Sequence, residues 1–139
     1  GSAPNDVWVV GRTGTILHLN GGVWTTQRTG GRTGYYAVRG SDPSNVWIAG
    51  DDGAMVHWDG RGFSDSVAGG GVGASMYGLW VKVAKSAWAS VTSGSVLHWD
   101  GTTWTVEASG VYSPIAAISG AGNQLWAVGS YGNIFQKEL

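Results

Sequence analysis

The sequence predicts an all-β fold, a β-propeller built of four-stranded antiparallel blades, and three observations lead to it. An apolar residue followed by tryptophan recurs at Val7-Trp8, Val46-Trp47, Ala87-Trp88 and Leu125-Trp126, at intervals of 39, 41 and 38 residues. A period of roughly 40 residues marks one stacked supersecondary unit per repeat. The rest of the unit repeats with the tryptophan: Gly14, Gly53, Gly94 and Gly132 stand six residues beyond it, and His18, His57, His98 and Gln136 ten residues beyond. Trp24, Phe63 and Trp104 follow at sixteen residues, where the fourth copy has ended. Finally, Asn20-Gly21, Asp59-Gly60 and Asp100-Gly101 separate short runs of β-branched and aromatic residues. Such pairs suit hairpin turns with φ > 0, and no window carries a helical period.

The elements follow in order. With the second unit as the pattern, strands are expected at Tyr36 to Arg39 (its equivalent being Met76 to Val81), Val46 to Gly50, Met55 to Trp58 and Phe63 to Val67. Four antiparallel strands in roughly 40 residues make one propeller blade. Ala37, Gly78 and Ala117 recur in the first strand, where a small side chain fits the crowded innermost position around the axis. The phase gives about 3.5 repeats in a single propeller segment, residues 1–139, with repeats at about 1–39, 40–81 and 82–119 and a partial one at 120–139. It supplies the last three strands of one blade, two whole blades, and the first three strands of another.

Composition narrows the function classes. The 139 residues include 25 Gly and no Cys, only 12% are charged, and the net charge is -1. Nucleic acid is not an expected partner, because no basic excess is present to displace counterions from phosphates. The lack of Cys removes disulfides, thiolate nucleophiles and sulfur-ligated metals. No apolar run approaches the roughly 18 residues of a membrane span, so no membrane insertion is expected and the chain reads as soluble.

An arc of blades raises the question of closure. Closed propellers use about four to eight blades, whereas an open arc exposes strand edges and apolar blade faces. We therefore expect a homodimer or higher oligomer to close the ring. Two copies would give about seven or eight blades, and the strand phase suits the larger ring with thinner junction blades. The rival reading is a fragment of a longer array, since the sequence opens in mid-repeat with Gly1-Ser2; Gly40-Ser41 opens the next repeat in the same way.

These residues carry a family resemblance across nearly the whole chain. The motifs NDVWVVG (Asn5 to Gly11), SNVWIAG (Ser44 to Gly50), QLWAVG (Gln124 to Gly129) and VLHWDGTTW (Val96 to Trp104) resemble repeats of bacterial β-propellers of the Asp-box or BNR group, which includes propeller lectins. Asp100, Gly101 and Trp104 resemble the Asp box itself, although the Asp-to-Trp spacing is one residue shorter and His98 replaces its serine. The absence of Cys leaves the compartment open, and a secreted protein, or part of a larger extracellular bacterial one, is one option compatible with the resemblance. A sialidase-like site would need three converging arginines, and Arg28, Arg32 and Arg39 lie where a solvated loop is expected.

The candidate chemistry is binding, without catalysis, metal or cofactor. His18, His57 and His98 fall on successive blades, so they are not expected to converge on one ion; Gln136 at the same position keeps a hydrogen bond and loses metal affinity. Asp59 and Asp100 occupy turns, where a carboxylate accepts backbone N–H bonds. The second-strand tryptophans and Trp24, Phe63 and Trp104 read as packing between blades. Trp58 and Trp99 adjoin the histidines and so point to the opposite face. Two readings stand for them: further packing, or, with His57 and His98, a ligand-binding groove for the apolar face of a sugar. Trp80 and Tyr35 do not recur in kind and are candidates for a loop mouth. The leading function is a non-catalytic binding module with lectin-like carbohydrate binding at repeated interblade sites. The alternative is a structural or protein-interaction propeller without a small-molecule ligand, its partner held by the loops Gly69 to Ser75 and Arg28 to Gly34.

Overall fold

The computed structural model describes residues 1–68, 74–108 and 113–139. The local physics of each unit is that of two successive hairpins. In the second unit the strands are β4 (Tyr35–Asp42), β5 (Asn45–Gly50), β6 (Ala54–Trp58) and β7 (Phe63–Val67), paired in that order as one antiparallel sheet. The third unit repeats it with β8 (Met76–Val83), β9 (Ser86–Val91), β10 (Val96–Trp99) and β11 (Trp104–Ala108). The first unit has three strands, β1 (Asp6–Val10), β2 (Ile16–Asn20) and β3 (Val23–Arg28), and so has the last, β12 (Ile115–Ala121), β13 (Gln124–Gly129) and β14 (Ile134–Glu138). The four sheets are blades 1 to 4 of a β-propeller, each blade fully antiparallel. The fourteen strands fall in the phase the repeats predict, and the loop residues 69–73 lie outside the described residues.

Turn chemistry fixes the hairpins. Between β5 and β6, Asp52 and Gly53 both take left-handed backbone, with φ of 52° and 76°. Two consecutive positive φ angles twist a two-residue turn in the sense of the flanking strands, and the glycine six residues past each tryptophan takes positive φ in all four copies. The next hairpin differs from a two-residue turn on Asp-Gly. Asp59 begins a four-residue loop, because Trp58 pairs with Phe63, and its carboxylate accepts N–H bonds from Arg61 and Gly62, both at 2.8 Å. In blade 1 the loop is the shorter kind, with Asn20 paired to Val23 across Gly21 and Gly22.

The first strand of each complete blade lies innermost. Residues of β1, β4, β8 and β12 line a central depression that includes Val9, Ala37, Gly78 and Ala117. Gly78 marks the crowding: a Cβ there would stand 2.5 Å from Ser90 Oγ and 3.0 Å from the backbone N of Ile118 on the next blade. Ala37 and Gly78 are thus small because the inner strands converge. No helix among the described residues is long and apolar enough to cross a membrane.

Three apolar clusters hold the arc together, one at each joint between blades. Trp8 and Ile16 of blade 1 pack with Tyr35, Val46, Ile48 and Val56 of blade 2. Trp47 and Met55 of blade 2 pack with Leu79, Ala87, Leu97 and Trp104 of blade 3. Trp88 and Val96 of blade 3 pack with Ile118, Leu125 and Ala127 of blade 4. Tyr35 is 9% exposed and Trp80 stacks on Trp88 with ring centroids 5.1 Å apart, so neither forms a loop mouth. Trp80 lies against Gly120 of blade 4, where an added Cβ would stand 2.6 Å from its ring. Trp47 is 2% exposed, and we expect Trp47→Ala to cost about 3–5 kcal/mol in urea unfolding. Val67→Ala, at a side chain 70% exposed on the same blade, should stay within about 0.5 kcal/mol of wild type.

Candidate functional site

Strand register builds one aromatic device per blade. Trp8 pairs with His18, Trp47 with His57, Trp88 with His98, and Trp126 with Gln136. Residues directly opposite on neighbouring strands share a face, so each imidazole lies flat on its indole. The ring centroids are 3.8 Å, 4.3 Å and 4.5 Å apart, with interplanar angles of 11°, 25° and 17°. The residue two positions before the tryptophan then fixes the ring: His18 Nε2 meets Asp6 Oδ1 at 2.7 Å and His57 Nε2 meets Asn45 Oδ1 at 2.8 Å. In blade 4 Gln136 donates to Gln124 at 2.9 Å in the same arrangement. His18 and His57 are thereby held on their own blades, whereas His98 Nε2 is buried without a hydrogen-bond partner among the described residues. Among the described residues no three His, Asp or Glu side chains are grouped to hold a metal ion. Burial pushes the His57 imidazole below its usual pKa, against the pull of Asp59 and Asp42 in the other direction.

Trp58 and Trp99 point to the other face of their blades, as strand alternation requires. Trp58 packs on Trp8 of blade 1 at 5.5 Å and on Phe63 at 4.9 Å. Trp99 packs on Trp47 of blade 2 at 4.9 Å and on Trp104 at 5.8 Å. Their indole N–H groups donate to equivalent backbone carbonyls, Pro43 and Ala84, both at 3.2 Å. The four residues expected to form grooves are therefore regrouped. Trp58 shares a crevice with His18 of blade 1, and Trp99 shares one with His57 of blade 2. His98 meets neither tryptophan; it lies at the next joint, its Nδ1 3.9 Å from Glu107. Neighbours in sequence cannot share a groove when alternation sends them to opposite faces.

The two crevices occupy the same place at successive joints. The first, about 470 Å³, is lined by Asp6, His18, Asn20, Ser44, Trp58 and Gly60. The second, about 570 Å³, is lined by Trp47, His57, Ser64, Asp65, Lys85, Trp99, Thr102, Thr103 and Trp104. Both volumes fall within the range of small-molecule sites. In the second, Trp47 and Trp104 carry indole N–H groups with no acceptor among the described residues. The third joint has a different chemistry: Glu107 accepts the Trp88 indole N–H at 2.7 Å and pairs with the Lys137 ammonium. Although burial pushes the Glu107 carboxyl up, the bonds from Lys137 and Trp88 hold it below the usual carboxylate range.

One polar cluster has no counterpart in the repeat pattern. The Asp51 carboxylate accepts bonds from the Tyr36 hydroxyl at 2.8 Å, the Gly34 backbone N–H at 2.8 Å and the Ser75 hydroxyl at 3.0 Å. Those bonds, the Tyr36 hydroxyl's foremost, hold it below its usual pKa. It ties blade 2 to the strand entering blade 3, with Tyr36 and Tyr77 rings 4.8 Å apart. Tyr36 recurs as Tyr77, but Asp51, Gly34 and Ser75 differ from copy to copy, so the repeat pattern carries no signal for the cluster. Arg28 does not join Arg32 and Arg39 in a clamp; it lies over the Phe63 ring at 4.7 Å and pairs with Asp65 across the joint between blades 1 and 2.

Comparison with solved structures yields propellers. The computationally designed Ika4 protein superposes with a TM-score of 0.76 at 18% identity, over 99% of this chain and 87% of that one. The designed Ika8 protein gives 0.77 at 18% identity, over 100% of this chain and 44% of that one. YCF48 bound to a D1 peptide gives 0.74 at 17% identity, over 98% of this chain and 47% of that one. The chain thus spans less than half the length of the Ika8 chain and of that YCF48 chain. No protein-family model matches the chain, and no curated protein matches it. At these identities the likeness establishes the β-propeller fold.

The turn that rims the second crevice should be visible in acid. The Asp100 carboxylate accepts the Thr102 hydroxyl at 2.7 Å and the backbone N–H groups of Thr103 and Thr102 at 2.9 Å and 2.8 Å, which bring its pKa from 3.8 down to about 2. A carboxyl whose pKa is lower when folded adds stability that is complete above the unfolded value and lost as pH falls through the folded one. Urea midpoints of the wild type should therefore drop between pH 4 and pH 2 more steeply than those of Asp100→Asn.

Proposed function

We propose that this chain is a non-catalytic β-propeller binding module. It completes its ring with a second copy of itself and takes carbohydrate in the crevices between blades. The observation that carries the reading is the pair of equivalent crevices, each formed where an aromatic plate of one blade, Trp58 or Trp99, meets the imidazole of the blade before it. A sugar presents an apolar face and a rim of hydroxyls. The crevices offer an indole edge surrounded by small polar groups: Asn20, Ser44 and Asp6 in one, Ser64, Lys85, Thr102 and Thr103 in the other. The carboxylates named above are engaged in turns and joints, which suits binding better than acid-base chemistry. Several weak equivalent sites on one ring turn modest affinity into avidity.

The test is titration of the chain with a panel of free monosaccharides and short glycans, read by tryptophan emission and by saturation-transfer NMR. We expect at least one sugar to give a saturable change. Lys85→Ala combined with Thr103→Ala, both exposed side chains on the rim of the second crevice, should weaken that sugar about fivefold or more with the fold unchanged, the loss of roughly one hydrogen bond. Silence across the panel would favour the interaction scaffold instead. In that reading a protein partner meets the loops, among which residues 28–34 are described; the solved YCF48 with its D1 peptide is a propeller of this fold that holds a peptide.

A further inference from the structure

We infer that the two ends of the arc are complementary docking faces for a second copy: the open face of blade 4 receives the open face of blade 1 of its partner, with Trp126 against Trp24. The inference rests on the ring closure proposed above and names the surfaces that make it. It is carried by the chain's own internal joints, which show what each face accepts.

On blade 2 the face turned toward blade 3 carries Trp47, Ala49 and Met55, exposed by 2%, 0% and 0%. The same register positions on blade 4 are Trp126, Val128 and Ile134, exposed by 44%, 45% and 67%. Their chemistry is that of the covered face, and the difference is that no blade covers them. The opposite end matches. On blade 2 the face turned toward blade 1 holds Ile48 at 0% exposure and Phe63 on the fourth strand, whereas blade 1 presents Val9 at 43% and Trp24 at 51% in the same places. At the first two joints within the chain, the second-strand tryptophan of one blade meets the fourth-strand aromatic of the next edge to face. Trp8 meets Phe63 at 5.9 Å and 89°, and Trp47 meets Trp104 at 5.2 Å and 90°.

A blade 4 to blade 1 joint between copies repeats that pair with Trp126 and Trp24, and Leu19 takes the place that Trp58 and Trp99 fill inside the chain. Unlike faces at the two ends of one molecule close a ring when the rotation permits. Two copies joined in this way arrange twice the four sheets around one axis, the three-stranded blades meeting at the two junctions. Contiguous apolar surface of this kind marks an interaction site. A second copy is the occupant whose chemistry the internal joints already specify.

The experiment is size exclusion with light scattering at about 20 μM, where an interface of ordinary size is occupied. The wild type is expected at twice the 14.4 kDa chain mass. Trp24→Glu alone, and Ile134→Glu alone, should run as monomers with wild-type far-UV circular dichroism. Mixing Trp24→Glu with Trp126→Lys should recover the dimer, because one junction then pairs the two introduced charges and the other keeps both tryptophans. A wild-type monomer would overturn both this interface and the proposed ring closure. A wild-type dimer left intact by both Trp24→Glu and Ile134→Glu would overturn the docking faces alone.

Discussion

The fold depends on one contact repeated at the first two joints: an indole on the second strand of a blade, capped on one side by the imidazole of its own third strand and wedged on the other by the aromatics of the next blade. Trp47 shows the whole device, with His57 stacked at 4.3 Å, Trp99 tilted at 4.9 Å and Trp104 edge-on at 5.2 Å. Everything else is arranged around that sandwich. Strand register brings histidine opposite tryptophan, the left-handed glycine turn sets the register, and the small inner residues let neighbouring sheets approach closely enough for the rings to meet. Large aromatics dominate such packing because each buries much area and gains further from edge-to-face geometry.

The parts of this arrangement that lie within one sheet were legible in the sequence. The tryptophan, glycine and histidine positions obey the two-residue period of a strand and the φ demands of a turn, and both are local rules. Blade count, strand phase and the crowding at Gly78 follow from them. What lay between sheets was not legible. Sequence adjacency suggested a groove shared by His57 and Trp58, yet those side chains serve opposite faces, and His57 belongs with Trp99, 42 positions away in the chain. Trp80 and the Asp51 cluster were hidden for a related reason. Their roles depend on what a neighbouring blade happens to carry, Gly120 in one case and Ser75 in the other.

The departures from strict repetition fall at the joints and at the two ends. The two joints with matching Trp-His crevices differ in their rims, one acidic and amide-rich around Asp6 and Asn20, the other with Lys85 and paired threonines. At the third joint the Glu107 and Lys137 pair stands where the first two carry an aromatic wedge, and Glu107 accepts the Trp88 indole N–H. At the ends, the same apolar faces that are buried inside stand uncovered. A single device thus yields packing, a crevice or an uncovered apolar face according to what stands opposite it.

The central claim is that the aromatic sandwich couples one blade to the next, and a double-mutant cycle tests it most directly. Trp47→Phe and Trp104→Phe, singly and together, are compared by urea unfolding under conditions where association is held constant. The account predicts a coupling of about 0.5–1.5 kcal/mol between the two positions, the scale of an edge-to-face aromatic pair beyond area burial. Costs that add within about 0.3 kcal/mol would mean that the rings stabilise their blades independently, and that result would contradict the account.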